Sequence, residues 1–218
     1  ARNAAHAGVD LLIPILKGWC TETGVEVAST GIQIHGGMGF IEETGAAQHL
    51  RDARITTIYE GTTGIQANDL IGRKVLRDGG RWMQALLSQI DAVCEQLEAG
   101  DDAQLHAIGA RLREGSKSLA DSVRWILATG VQDLNAVLAG AVPFLHLCGV
   151  VCGGWQMGRA ALAAQRKLAA GDGDAAFYRA KVATARFFAD QDLSRARGLA
   201  EATMHAGAST MALAEEQF

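Results

Sequence analysis

Apolar side chains recur along the chain at the spacing of a helix face. Across ILKGWCTETGVEVASTGIQIHGG, the residues Ile15, Trp19, Val25, Ala28, Ile32 and His35 fall mostly one turn apart. Pro14 suits the first turn of that helix, where its missing N–H goes unused, and Gly36-Gly37 stops it. Upstream, Ala4, Ala5, Gly8 and Val9 already keep a helical rhythm. The chain therefore reads as entered in mid-helix, a fragment or cleaved product with neither an initiator Met nor the order of a signal peptide. Thr44 is the expected cap of a short helix through AAQHLRDAR. Thr62 or Thr63 caps a longer one carrying Ala67, Leu70, Ile71 and Val75 on one face, and Asp78-Gly79-Gly80 ends it.

Beyond Gly80 the same period predicts helices near 82–98, 104–129, 136–169 and 174–206. They are punctuated at Ala99-Gly100-Asp101, Thr129-Gly130 and Gly171-Asp172-Gly173, with a break in the last near Asp190-Gln191-Asp192. Trp82, Leu86, Ile90 and Val93 form one such stripe, and antiparallel returns of this length suggest a four-helix bundle. No β alternation is convincing. The expected fold is all-α, with residues 1–78 as one helical unit and 79–218 as a second antiparallel bundle.

Composition narrows the function. Apolar residues make up 49% of the chain and only two prolines occur, which favours helix. Lys plus Arg is 20 against 24 for Asp plus Glu, a net charge of −4 with no basic stripe, so a nucleic-acid partner is not expected. No apolar run reaches the ~20 residues that span a bilayer. Cys20, Cys94, Cys148 and Cys152 lack metal-ligand spacing, and His35, His49, His106, His146 and His205 share none, so no metal is expected and the thiols read as reduced, cytosolic ones. Trp155, Phe177, Tyr178, Phe187 and Phe188 read as core or interface aromatics. Arg159, Arg166, Lys167, Arg179 and Lys181 read as solvated helix faces.

Two Gly-rich stretches stand apart, GIQIHGGMGF at 31–40 and YEGTTG at 59–64. The first follows a helix and lacks Lys-Ser or Lys-Thr, so it is neither a dinucleotide fingerprint nor a P-loop. The second opens a helix, where free N–H groups favour anionic or electron-rich ligand atoms and where Gly61 and Gly64 leave room for a flat ring. Glu60 stands just ahead of that helix.

Together these stretches resemble the C-terminal helical domain of the acyl-CoA dehydrogenases. Gln33, Gly36, Gly37, Gly39 and Phe40 match the family's Q-x-x-G-G-x-G-[FY]; Arg51-Asp52-Ala53-Arg54-Ile55 matches R-D-A-[KR]-I; Ile58-Tyr59-Glu60-Gly61-Thr62 matches I-Y-E-G-T. The resemblance implies that Glu60 is the catalytic base, removing the α-proton of an acyl-CoA thioester while hydride passes to N5 of FAD to leave a trans-2-enoyl-CoA. Burial against flavin, acyl chain and Tyr59 suits a carboxylate to that task by raising its pKa. The Glu60 amide, with a flavin ribityl hydroxyl, would polarise the thioester oxygen. Tyr59 and Gly61 are then substrate contacts. Thr62, Thr63 and Gly64 fall where the family touches FAD, although Gln often replaces Gly64 there. Gln33, Ile34, His35, Gly36 and Gly37 match the loop that reaches the ADP half of FAD held mainly by a neighbouring subunit, which implies a homodimer or larger homo-oligomer.

The same resemblance implies electron-transfer flavoprotein as acceptor and a bacterial cytoplasmic enzyme of β-oxidation type. Arg51, Asp52 and Arg54 are expected to form ion pairs that fix the base-bearing loop. The continuation past Gly79, including FYRAKVATARFFADQ at 177–191, resembles the extra C-terminal helical domain of the larger bacterial members, the group that includes methylmercaptopropionyl-CoA dehydrogenase. It is expected to pack on the catalytic body and shape an interface or the substrate entrance. The family's N-terminal helical domain and middle β-domain are not in this chain, so catalysis would need that missing portion. An acyl-CoA oxidase, or a non-catalytic helical interaction module in which Glu60 merely caps a helix, are the alternatives.

Overall fold

A computed structural model describes residues 2–217, with side-chain surroundings from His6 onward. Among them the chain is all-α, with no strand. Helix α1 (Arg2–Ile15) runs into a π-turn at Leu16–Cys20 and on into α2 (Thr21–His35). Pro14 is therefore inside α1 near its end, not in a first turn. A proline there withdraws one backbone hydrogen bond, and the wider π-turn that follows absorbs the mismatch.

The α2 helix stops at Gly36, whose φ of 62° and ψ of −145° no side chain adopts easily. A one-turn helix, α3 (Gly37–Phe40), then reverses the chain, and α4 (Ala46–Ile55) returns antiparallel along α2. The cap of α4 is Gly45, in the left-handed region, rather than Thr44. The Thr44 hydroxyl instead donates to the carbonyls of Met38 (2.5 Å) and Ile41 (3.1 Å), tying the reversal together. Thr62 does cap α5 (Thr63–Asp69), accepting from the Ile65 amide, and α5 continues as a second π-turn at Leu70–Leu76.

Past Gly80 come α6 (Arg81–Glu98), α7 (Ala103–Thr129), α8 (Leu134–Ala139), α9 (Ala141–Ala170), α10 (Ala175–Gln191) and α11 (Ala196–Thr210). Carboxylates of Asp102, Asp133 and Asp174 cap α7, α8 and α10. Leu86, Ile90 and Val93 are buried as the stripe on α6 required, with Trp82 half-buried beside them. The break expected before residue 193 is present. The break that divides the expected 136–169 helix is not apparent in its periodicity: at Gly140 a Cβ would stand 2.1 Å from the Thr203 carbonyl oxygen, so α8 and α9 part where α11 crosses them backbone to backbone. Phe187 and Phe177, expected in a core or interface, are exposed on α10, whereas Phe188 packs inward.

The centre of the structure is α9, which packs against α5, α6, α7, α10, α11 and the first π-turn. Its glycines are notches. Gly149 takes the Trp19 ring, with Cγ 2.1 Å from where a Cβ would be; Gly154 takes Leu193 and Gly158 takes Leu97. One buried cluster consequently runs from Leu11, Ile15, Leu70 and Val75 through Phe144 and Leu145 to Ala196 and Ala200. At about 1.5–3 kcal/mol for each large apolar side chain buried, that shared core ties residues before and after Gly80 to one another.

Gly140→Ala is expected to lower unfolding stability by about 1–3 kcal/mol, because neither backbone can retreat. Gly198, in α11 with open space around it, gives the opposite sign: Gly198→Ala raises stability by about 0.5–1 kcal/mol. Thermal or urea denaturation of the two variants reads both.

Candidate active site

The segment Ile55 to Gly64 leaves the C-terminus of α4 and enters the N-terminus of α5, and three tethers fix it. Lys17, from the first π-turn, donates to the Thr56 carbonyl at 2.6 Å and lies 5.6 Å from the Tyr59 ring centroid. Gln66 Nε2 reaches back to the Glu60 carbonyl at 3.3 Å. Thr63 donates its hydroxyl to Glu22 Oε1 at 2.5 Å, joining the segment to the first turn of α2. Within the loop, Thr57 is buried and bonds the Arg54 carbonyl, and Arg54 in turn donates to the Thr57 hydroxyl at 2.5 Å.

Glu60 sits at the crest with φ of 55°, the one non-glycine residue with positive φ among those described. That conformation costs a side-chain-bearing residue roughly 1–2 kcal/mol. Gly61 follows at φ 93°, and a Cβ there would meet Gln66 Nε2 at 2.7 Å, so the tether that holds Glu60 requires glycine next to it. The Glu60 side chain is exposed, and the extension after Gly80 does not cover it. Around it Ile55, Ile58, Tyr59 and Ile65 are each about half-exposed. Twelve of the nineteen large hydrophobics that the described residues leave exposed lie before residue 66, in the smaller part of the chain.

Tyr59, Glu60, Gly61, Thr62, Thr63 and Gly64 thus occupy one end of α2. Gln33, Ile34, His35, Gly36 and Gly37 occupy the other, exposed and about 20 Å away along its 15 residues. The fold does not bring the two glycine-rich stretches together within one chain. Thr63 and Gly64, as the first residues of α5, carry N–H groups without intrahelical acceptors, and no atom approaches closer than 4.0 Å to the Cβ position of Gly64.

The expected ion pairs are only partly present. Arg51 grips Glu42 through two bonds of 2.9 and 2.6 Å, which holds the Glu42 carboxyl below its usual pKa, but Arg54 pairs with a hydroxyl and no acid. Lys17, Glu22 and Gln66 escaped the sequence reading. Lys17 and Glu22 lie 39 and 41 residues from the groups they hold, and only Gln66, one turn into α5, stands near enough to have been found.

A second feature adjoins α2. A cavity of about 110 Å³ is lined by Trp19, Glu22, Glu26, His146, Asp192 and Arg195. Burial pushes the His146 pKa down, against smaller opposing effects of Glu22 and Glu26, with Arg195 also lowering it. The remaining histidines are exposed, and no cluster of His, Cys, Asp or Glu among the described residues could hold a metal. Arg159, Arg166, Lys167, Arg179 and Lys181 are exposed as expected. Burial pushes Cys94 and Cys152 up to about 12 and raises Cys148 well above its usual value, leaving Cys20 as the one exposed thiol.

Comparison with known proteins decides what this arrangement belongs to. The family model "Acyl-CoA dehydrogenase, C-terminal domain" matches residues 1–76, and "Acetyl-CoA dehydrogenase C-terminal like" matches residues 86–214. The chain belongs to the acyl-CoA dehydrogenase family. It is 55% identical over 193 residues to 3-methylmercaptopropionyl-CoA dehydrogenase of Ruegeria pomeroyi, covering 88% of this chain and 32% of that one. It is 33% identical to the broad-specificity linear acyl-CoA dehydrogenase FadE5 of Mycobacterium tuberculosis, over 83% of this chain and 30% of that protein. Human mitochondrial short-chain specific acyl-CoA dehydrogenase is 52% identical over 46 residues, 21% of this chain and 11% of that protein. The chain spans about a third of the length of the first two. Both matched models describe C-terminal domains of that family, and no helix of the described residues is long and apolar enough to cross a membrane.

Two outcomes follow for this region. Glu60→Gly relieves the left-handed strain and is expected to raise thermal stability by about 0.5–1 kcal/mol, whereas a residue kept as a structural cap would lose stability. His146, protonated less readily folded than unfolded, makes stability fall as pH drops from its ordinary 6.5 towards the lowered folded value, below which nothing further is lost. His146→Gln removes that step, read as a flatter melting-temperature profile between about pH 8 and pH 5.

Proposed function

We propose that this chain is the base-bearing portion of an FAD-dependent acyl-CoA dehydrogenase, with Glu60 abstracting the α-proton of an acyl-CoA thioester on the way to a trans-2-enoyl-CoA. The observation that carries the reading is the strained φ of Glu60. Three tethers hold a carboxylate in a conformation that glycine would occupy more cheaply, at the crest of an exposed apolar surface. Strain maintained against the local preference of the chain marks a functional position.

The residues present fit part of a flavin site. The open space at Gly64 and the free amides of Thr63 and Gly64 suit the ring end of the cofactor, and Gln33 to Gly37 suit its ADP end. The flavin, when bound, supplies the hydride acceptor. This chain's residues do the rest of what is assigned to them: Glu60 takes the proton, its amide faces the thioester oxygen, and Tyr59 and Gly61 line the approach of the acyl group. Covering the loop with substrate and the preceding portion of the enzyme would exclude water and raise the Glu60 pKa, bringing it nearer a working base.

The distance of about 20 Å between the two stretches along α2 supports a homo-oligomer in which each end serves a different cofactor molecule. The division of the enzyme falls, on this reading, at Asp78-Gly79-Gly80, with 79–218 as the extra helical domain. Electron-transfer flavoprotein is the proposed acceptor; formation of peroxide in its place would assign an oxidase. The extension after Gly80 does not seal Glu60, the arrangement that would have favoured a scaffold.

In the complete protein, Glu60→Gln is expected to retain flavin and its yellow colour while slowing bleaching by a saturated acyl-CoA by about 10²–10⁴-fold. Bleaching at the unaltered rate would remove Glu60 from the mechanism.

A further inference from the structure

Lys17 and Trp19 stand two residues apart in the first π-turn, and so on opposite sides of the chain. Trp19 fills the notch at Gly149 on α9, with its ring also against Gly153, while Gly18 sits so close to Leu145 that a Cβ would lie 2.6 Å from Cδ1. This seat leaves no room for a Cβ at Gly18 or Gly149. From it Lys17 extends to the Thr56 carbonyl, at the C-terminal cap of α4, where a cation both satisfies an orphan acceptor and complements the helix dipole. The same ammonium lies against the Tyr59 ring. Thr56 and Tyr59 are the fourth and first residues before Glu60.

We propose that Lys17 is a positioning residue for the base: it fixes the loop carrying Glu60 to a π-turn that the C-terminal extension holds in register through Trp19 and Gly149. The extension then acts on the reaction without touching substrate, by setting where the loop begins. Gln66 and Glu22 hold the loop from Glu60 onward; Lys17 is the tether on the segment before it. Without Lys17 the amides of Ile58 and Tyr59, which bond to the Ile55 carbonyl, lose the anchor that keeps that last turn closed. The kinetic consequence rests on Glu60 being the base, whereas the effect on the loop does not.

The test uses the complete flavoprotein in three forms, unaltered, Lys17→Met and Lys17→Arg. Amide hydrogen exchange at Ile58 and Tyr59 is expected to quicken by about tenfold in Lys17→Met, the order set by loss of one hydrogen bond from a charged donor, with Lys17→Arg close to the unaltered protein. In stopped-flow bleaching by whichever saturated acyl-CoA reduces the unaltered enzyme, Lys17→Met lowers the limiting rate by about 10- to 100-fold with little change in the half-saturating concentration. Lys17→Arg restores most of it. Exchange in Lys17→Met equal to that of the unaltered protein overturns the proposal, as does an arginine variant no better than methionine. If Lys17→Met yields no flavoprotein, Lys17→Gln replaces it under the same two criteria. Glu60→Gln run in parallel separates the failures. Unaltered bleaching there defeats the base assignment and leaves exchange to decide the role of Lys17; a dead Glu60→Gln beside an unaffected Lys17→Met defeats the role of Lys17 alone.

Discussion

The insertion of the Trp19 ring at Gly149 is the contact on which the rest of the structure depends. An indole can come within 2.1 Å of a Cβ position only where no Cβ exists, and the approach sets how deeply the first π-turn is sunk into α9. From that turn α1 and α2 leave in different directions. One joins the core with Leu11 and Ile15; the other runs outward as a scaffold for the α3 reversal and the returning α4. The loop carrying Glu60 is where α4 comes back to the π-turn, so its place is a consequence of this one packing event. Side chains on the two parts of the chain that match different family models therefore form a single mechanical unit.

Chemistry is distributed unevenly over that unit. The interior around α9 is mainly aliphatic, and burial pushes the pKa of its Cys148 and Cys152 thiols up. The elements of the proposed site lie outside, along α2 and the loop, among hydrophobics that water would not keep exposed at no cost. That surface presents a carboxylate, free amides and apolar walls, and on the proposed reading it is completed by the portion of its relatives that this chain does not span. The strained backbone at Glu60 is stable under these conditions because Gln66, Glu22 and Lys17 over-determine the loop, which is how folded proteins hold unfavourable conformations where function requires them.

Much of this was legible in the residues. Period and punctuation located most of the helices after Gly80, the stop at Gly36 and, as one of two candidates, the cap at Thr62, because each depends on groups within one turn in sequence. The all-α class followed from period and composition, and the family from three short motifs in order. What escaped were consequences of distant contacts. Gly140 looks like a tolerated helix glycine until Thr203 is brought against it from α11, and the helical rhythm read before Pro14 does not reveal that α1 runs on through the proline. Thr44 competes for a capping role that Gly45 takes, since its hydroxyl finds two carbonyls of the α3 reversal first. Glu60 itself was singled out by motif, but its positive φ could not be, because an L-residue carries no local signal for a conformation that neighbours impose.

On the proposed reading, the Glu60 carboxylate meets the α-carbon of an acyl-CoA when the enzyme is whole. A crystal structure of the complete flavoprotein with a non-reactive acyl-CoA analogue measures it directly. A Glu60 oxygen within about 3–3.5 Å of the α-carbon, with the loop in the conformation described here, is the expected result. A carboxylate turned to bulk water, with the acyl chain bound elsewhere, would contradict it.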